Sequence, residues 1–148
     1  MIYTGSDHRG YKLKEVLKIY LQELSFEFED LGALEFNPND DYPDFALPVA
    51  EKVAENPEEN RGILICGAGA GVDIVANKIK GIRSALCFSS DQAKASRNDD
   101  NVNVLSLASD FITEKIAEEI VKTWLETPYA KLERYERRLN KIKQIEEK

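Results

Sequence analysis

The sequence is poor in cysteine and histidine. Its 148 residues include 2 cysteines and 1 histidine. The cysteines, Cys66 and Cys87, form neither a disulfide framework nor the ligand spacing of a zinc site. A disulfide-stabilised secreted scaffold is therefore excluded as a class, and the expected setting is the reducing cytoplasm.

The chain also lacks an excess of basic residues and any long hydrophobic run. Its 20 Lys and Arg residues face 27 Asp and Glu residues, and the net charge of −7 argues against a nucleic-acid partner. No segment approaches the roughly 18 apolar residues of a membrane helix. The N-terminus lacks the basic and apolar regions of a signal peptide. The length fits one domain that covers residues 1–148.

Short apolar segments alternate with segments whose apolar residues recur at helical spacing. This alternation predicts an α/β fold, a Rossmann-like three-layer α/β/α sandwich around a parallel sheet. Strands are expected at residues 1–5, 26–31, 63–65, 83–88 and 102–107. Helices are expected at residues 11–24, 43–56, 71–79, 91–97, 113–125 and 131–147. The second helix is expected to bury Phe45, Val49, Ala50 and Val53, and Ser89 or Ser90 is expected to cap the fourth.

A glycine-rich turn follows the third predicted strand. Cys66 stands at the strand end, and Gly67, Gly69 and Gly71 then alternate with Ala68 and Ala70 before Val72 opens the apolar face of a helix. Glycines let the backbone bend tightly and approach a ligand, and a helix start favours an anion or a developing oxyanion. Two plainer interpretations stay open: the loop is a simple connection, and Cys66 is a small buried hydrophobe.

Polar residues follow the predicted strands at other places too. Ligands of parallel sheets bind at the carboxyl ends of the strands, near the switch in strand order. We therefore expect Asp7 and His8, the Cys66 loop, and the region 98–101 to lie together.

The last predicted helix, residues 131–147, is highly charged. Arg134 and Arg138 are four residues apart and share one face, where two guanidinium groups can grip one phosphate. Such a helix is either a solvated face or an arm that reaches a neighbouring subunit.

The order of these motifs resembles the ribose-5-phosphate isomerase B and galactose-6-phosphate isomerase family over nearly the whole length. The segments that carry the resemblance are S-D-H-R-G-Y at 6–11, D-Y-P-D-F-A at 41–46, G-I-L-I-C-G-A-G-A-G-V at 62–72, I-V-A-N-K at 74–78, G-I-R-S-A at 81–85, N-V-L at 103–105 and E-R-Y-E-R-R at 133–138.

The resemblance implies a five-stranded sheet and an aldose–ketose isomerase that acts on a sugar phosphate without a metal or cofactor. It implies a homodimer or tetramer whose sites lie at the subunit interface. Cys66 is the implied base, and a thiol must be deprotonated to serve as one. The N–H groups from Gly67 to Val72 are implied to hold the enediolate oxygen, and Asp7 is implied to move a proton between the substrate oxygens or to orient the sugar. His8, Tyr42, Arg134 and Arg138 are implied to contact the substrate, the two arginines at its phosphate.

Four positions depart from the family pattern. Ala68 lacks the usual hydroxyl, Asp99 replaces the ring-opening histidine, Asp100 replaces an asparagine, and Asp110 replaces a phosphate-binding arginine. Asp99 is the expected acid–base group for ring opening, whereas Asp100 and Asp110 place negative charge near the expected phosphate.

Three functions therefore stay open. The default is isomerisation of ribose 5-phosphate to ribulose 5-phosphate. The others are isomerisation of a different or open-chain sugar phosphate, and a non-catalytic subunit that binds sugar phosphate.

Overall fold

Five parallel strands form a single sheet in the computed structural model, which describes residues 1–148. Their order is β2-β1-β3-β5-β4. The strands are β1 (Ile2–Ser6), β2 (Phe28–Asp30), β3 (Arg61–Cys66), β4 (Ser84–Leu86) and β5 (Val104–Ala108). The predicted α/β fold with its parallel sheet is confirmed.

Six helices accompany the sheet, and five of them cover its two faces. The helices are α1 (Tyr11–Glu23), α2 (Pro43–Ala54), α3 (Ala70–Ala76), α4 (Ser90–Asp100), α5 (Glu114–Glu126) and α6 (Glu133–Glu146). One buried cluster joins α1, α4 and α5 to the sheet, and a second joins α2 and α3 to its other face. None of the helices combines the length and apolar character needed to cross a bilayer.

The central strand β3 shows why helices must cover both faces of the sheet. Side chains alternate along a strand, so Ile63 and Ile65 enter the first core, whereas Leu64 and Cys66 enter the second. A strand that is apolar on both sides must be covered on both sides.

The switch in strand order lies between β1 and β3. The chain leaves β1 toward β2 on one side and leaves β3 toward β4 and β5 on the other. Ser6 pairs with Ile65, and Cys66 pairs with Ala108, so β1, β3 and β5 end side by side. The loops that follow these strands therefore meet at one edge of the sheet, here called the carboxyl edge.

Several predicted element boundaries were wrong. β2 has only three residues instead of 26–31, and a turn with Ser25 at a positive φ of 63° precedes it. α3 ends at Ala76, so Ile79 follows the helix, and α4 extends to Asp100. Phe45 is only partly buried. Ser89 is confirmed as the N-cap of α4, and its hydroxyl accepts the Gln92 N–H group.

The C-terminal helix α6 differs from the other long helices because none of its residues is buried. It begins at Glu133 and ends at Glu146, slightly inside the predicted range. Its N-cap residue Leu132 is 41% exposed, and its apolar residues Ile142 and Ile145 are 40% and 66% exposed. That this helix reaches a partner subunit stays a prediction.

Candidate active site

The turn after β3 requires glycine at position 69. Gly69 caps α3 with a φ of 74°, in the left-handed region that favours glycine. A Cβ atom there would collide with the Leu86 side chain and lie 3.1 Å from the Ala108 backbone nitrogen. The positive φ and the lack of room for a Cβ atom therefore both explain why this residue is glycine.

The same turn leaves a row of backbone donors unpaired. No N–H group from Gly67 to Val72 donates to an acceptor in the chain, and the first bond into this turn runs from the Asp73 N–H group to the Gly69 carbonyl. Ala68 and Ala70 are exposed, whereas the Val72 side chain is buried in the second core. Unpaired donors beside an open surface are suited to bind an oxyanion.

Cys66 lies directly before these donors. The residue is 5% exposed, and its carbonyl accepts the backbone N–H and the hydroxyl of Ser109, at 3.0 and 3.2 Å. Cys87 is fully buried, and its burial raises the pKa of the thiol to about 11. Of the two cysteines, only Cys66 has a place beside the donors and some residual exposure.

Asp7 follows β1 and is 5% exposed. Its carboxylate accepts the Gly10 N–H group at 3.1 Å, which closes a tight turn. A Cβ atom on Gly10 would lie 2.6 Å from the Ile65 carbonyl oxygen, so glycine lets this turn approach β3 one residue before Cys66. The structure thus brings Asp7 to the Cys66 loop, as predicted.

His8 is held by a residue that the sequence analysis missed. One oxygen of Asp40 accepts the His8 backbone N–H group at 2.9 Å and lies 2.7 Å from Nδ1. The ring of Phe36 packs edge-on against the imidazole. Because Asp40 occupies Nδ1, the nitrogen left for a substrate is Nε2. No motif pointed to Asp40, which stands in a polar connection.

Arg9 was also missed, and it changes the electrostatics of Asp110. The Arg9 guanidinium is paired with the Asp110 carboxylate and lies against Gly67. The negative charge expected from Asp110 is therefore compensated within the chain.

Tyr42 lines the glycine turn, and its predicted contact with the substrate stays a prediction. A Cβ atom on Gly71 would lie 2.6 Å from the Tyr42 ring, so the ring rests on the backbone of that residue. Tyr42 is 39% exposed at the start of α2, and its ring forms one wall beside the unpaired donors.

The remaining predicted residues lie at the opposite edge of the sheet. α4 begins after β4 and runs back along the sheet, so Asp99 and Asp100 come just before the start of β5. Gly62 pairs with Val104 and Cys66 with Ala108, and these four residue steps of about 3.3 Å place the two edges about 13 Å apart. The expectation that region 98–101 lies beside Cys66 was therefore wrong within one chain.

α6 lies near this opposite edge. The Gly81 N–H group donates to Glu146, and a groove of about 470 Å³ separates the helix from Glu58, Arg83 and neighbouring residues. Burial and the charge of Asp99 raise the pKa of Asp100, and the charge of Arg138 opposes this shift. We call Asp99, Asp100, Arg134 and Arg138 the C-terminal cluster.

The arginines of this region have different uses. Arg137 pairs with Glu133 at 3.2 Å, and Arg97 is buried with bonds to Asn101 and the Val102 carbonyl. Burial lowers the pKa of Arg97 to about 10. Arg134 and Arg138 have no carboxylate within ion-pair distance, and the Arg134 guanidinium lies 4.8 Å from the Tyr135 ring centre. These two arginines remain available for an anion.

One group of side chains is compact enough to hold a metal ion. Ligand atoms of Asp7, His8 and Asp40 lie within 4.8 Å of one another. Asp7 already accepts the Gly10 N–H group, and Asp40 already binds Nδ1 of His8. The group is thus also explained by its internal hydrogen bonds.

Comparison with known proteins decides the family. The model of the ribose/galactose isomerase family matches residues 2–142. The chain belongs to this family. It is accordingly an isomerase of the aldose–ketose type, which the resemblance in the sequence predicted.

Individual relatives agree over almost the full length. The probable ribose-5-phosphate isomerase B of Mycoplasma genitalium is 44% identical over 141 residues, which cover 95% of this chain and 92% of the relative. The crystal structure of ribose-5-phosphate isomerase B from Mycoplasma genitalium with bound ribulose-5-phosphate matches with a TM-score of 0.96 and 43% identity, covering 99% of this chain and 96% of that one. Ribose-5-phosphate isomerase B of Clostridium thermocellum matches with a TM-score of 0.93 and 41% identity, covering 99% and 97%.

Proposed function

We propose that the protein interconverts ribose 5-phosphate and ribulose 5-phosphate through a cis-enediolate, with Cys66 as the base. The observation that carries this proposal is the row of unpaired N–H groups from Gly67 to Val72 directly after Cys66. The names of the similar proteins supply the substrate, and the chain's own residues supply the chemistry.

The reaction begins on the open-chain aldose. The Cys66 thiolate takes the proton from C2, and the electron pair of that bond forms the C1–C2 double bond while O1 becomes negative. The unpaired N–H groups stabilise this oxygen. Asp7 moves a proton from O2 to O1, and the Cys66 thiol then returns its proton to C1 to give the ketose.

Other residues of the carboxyl edge orient the sugar. His8 contacts the substrate through Nε2, because Asp40 holds the other ring nitrogen. Tyr42 forms a wall of the pocket beside Gly71. Positioning of this kind makes the proton transfers effectively intramolecular. The reaction needs neither a metal nor a cofactor, since the base and the oxyanion donors are protein groups.

The phosphate end requires a second subunit. The C-terminal cluster belongs to the opposite edge of the sheet, the two edges are about 13 Å apart, and α6 buries no residue. We propose a homodimer in which the cluster of each chain completes the site of the other. Arg134 and Arg138 bind the phosphate, and Asp99 stays a prediction as the acid–base group for ring opening.

Turnover and complementation test this arrangement. Wild-type protein is expected to convert ribose 5-phosphate, whereas Cys66→Ala and the double variant Arg134→Gln/Arg138→Gln are each nearly inactive. Mixing the two variants under conditions of subunit exchange should restore about a quarter of the wild-type activity, because half of the dimers then contain one intact site. Mixed variants that stay inactive despite exchange contradict the shared site.

A second candidate substrate follows from Asp99. Because an aspartate stands where the family has its ring-opening histidine, a sugar phosphate that cannot close a ring is also compatible with this chain. Turnover of a four-carbon aldose phosphate without turnover of ribose 5-phosphate would favour this second function.

A further inference from the structure

Arg9 is a basic residue among the mostly acidic loops of the carboxyl edge. Five loops follow the strands there, at residues 7–10, 31–42, 67–69, 87–89 and 109–113. Arg9 is the only lysine or arginine in these loops, which also contain Asp7, Asp40 and Asp110. A dianionic phosphate that approaches this edge meets acidic groups from three sides, and Arg9 is the cation that the loops offer.

The backbone of Arg9 is fixed to the catalytic turn. The Ser109 hydroxyl lies 2.9 Å from the Arg9 carbonyl oxygen and 3.2 Å from the Cys66 carbonyl oxygen. The first residue of the unpaired-donor row, Gly67, lies under the Arg9 guanidinium, and a Cβ atom at Gly67 would collide with it. The Arg9 guanidinium therefore lies against the residue that directly follows Cys66.

The partner of Arg9 holds it only weakly. The Arg9 and Asp110 side chains are 53% and 41% exposed, and exposed ion pairs contribute little net stability. The guanidinium is planar and presents several N–H donors, a shape that matches a phosphate in a two-point contact. A phosphate that binds at this edge can thus replace Asp110 as the acceptor of the Arg9 N–H groups.

We propose that Arg9 binds the phosphate group of the substrate, and that Asp110 positions Arg9 and competes with that phosphate. The inference rests on the proposed function, because the phosphate belongs to the sugar that Cys66 acts on. Within each site Arg9 is the cation supplied by the chain that supplies Cys66, and Arg134 and Arg138 come from the partner chain. The affinity for phosphate is then set by the balance between Arg9 and Asp110.

This competition predicts effects of opposite sign. Arg9→Gln should weaken the binding of inorganic phosphate by at least about tenfold, because a charge-assisted contact is lost. Asp110→Asn should tighten it by about two- to tenfold, because a like charge is removed and Arg9 is released. The exposed pair of Lys52 and Glu55 on α2 gives matched controls, and Lys52→Gln and Glu55→Gln should each leave the phosphate affinity unchanged within about twofold.

The measurement is isothermal titration of the full-length wild-type and variant proteins with inorganic phosphate, together with KM for ribose 5-phosphate. Arg9→Gln should raise KM far more than it lowers kcat, and Arg9→Lys should recover part of the loss. Thermal melting checks folding, and Asp110→Asn tests the sign of the effect independently.

Three outcomes overturn the inference. If Arg9→Gln and Asp110→Asn weaken phosphate binding alike, the pair is only a structural link, and if neither changes it, Arg9 does not touch phosphate. If Arg9→Gln turns over ribose 5-phosphate with the kcat and KM of the wild-type protein, this inference is wrong and the proposed function is unaffected. Phosphate binding that depends on Arg9, in a protein that isomerises no sugar, would support the inference and contradict the proposed function.

Discussion

Replacing Lys14 with methionine should destabilise the protein strongly. Lys14 is 1% exposed, and its Nζ lies 2.7 Å from both carboxylate oxygens of Asp30 and 2.6 Å from the Ala33 carbonyl oxygen. This one ammonium group ties α1 to the end of β2 and to the loop that carries Asp40. Lys14→Met keeps much of the side-chain volume and removes the charge.

The size of the effect follows from what the substitution leaves unpaired. Removing one partner of a buried ion pair costs about 3–5 kcal/mol. Lys18 still lies 2.8 Å from Asp30, so the cost should fall at the low end, about 3 kcal/mol. For a chain of this length, 1 kcal/mol shifts Tm by about 2–4 °C, so Tm should fall by about 10 °C.

Urea unfolding and thermal melting measure this difference. Lys52→Met is the matched control, because Lys52 also pairs with a carboxylate, at 3.0 Å, but is 44% exposed, so its replacement should change the stability far less than Lys14→Met does. The double variant Lys14→Met/Asp30→Asn should be more stable than the sum of the two single losses. Equal effects of Lys14→Met and Lys52→Met would refute the reasoning.

Three further predictions concern acid stability, the glycine turn and His8. Burial works to raise the pKa of Asp30, but hydrogen bonds from Lys14, Lys18 and Gly32 outweigh it and hold that pKa below its usual value of 3.8. The stabilisation by Asp30 is therefore complete above about pH 4 and is lost as the pH falls further. Between pH 6 and pH 2.5 the urea midpoint of Asp30→Asn should decline less than that of the wild-type protein. Identical declines would contradict this prediction. Gly69→Ala should lower the free energy of unfolding by about 1–3 kcal/mol, because alanine is strained at a φ of 74° and its Cβ atom collides with Leu86. The turn must then shift and displace the N–H donors, so kcat should fall as well. Gly81→Ala has a similar φ of 85°, but its Cβ atom would make only ordinary contact with Pro57 at 3.9 Å, so this variant should keep full activity. Equal activity losses in the two variants would argue against a role for the turn. Asp40→Ala should lower kcat/KM by about 10–100-fold, because His8 is no longer held in its orientation. Asp40→Asn keeps an oxygen that accepts a hydrogen bond from His8, so its kcat/KM should fall less. Equal losses in the two variants would show that this hydrogen bond does not orient His8.

Much of the fold was predictable because it depends on local patterns. The apolar run from Ile63 to Ile65 between polar residues indicates a buried strand, and the glycines after Cys66 indicate a tight turn. Both signals lie within a few residues and need no knowledge of the partner elements. The parallel sheet then follows from the alternation of strands and helices.

The parts that could not be predicted depend on distant residues. Asp40 reaches His8 across 32 residues, and Arg9 reaches Asp110 across 101 residues. No periodicity or spacing encodes such pairs. The location of Asp99 was misjudged for a different reason, since a helix that returns along the sheet ends at the edge opposite to the one where it began.

The exposed apolar residues of α6 are a feature that the fold of one chain does not explain. Its sequence shows an apolar stripe at helical spacing, yet α6 buries none of its residues. We therefore predict that a partner surface covers this stripe in the assembled protein.

The most direct test of the account is the exchange of solvent deuterium into C1 of ribulose 5-phosphate, which reports enediolate formation without requiring ring closure. Wild-type protein and Cys87→Ser are expected to exchange at similar rates, and Cys66→Ala to exchange at least about a hundredfold more slowly. Exchange by Cys66→Ala at the wild-type rate, or an equally deep loss in Cys87→Ser, would contradict the account.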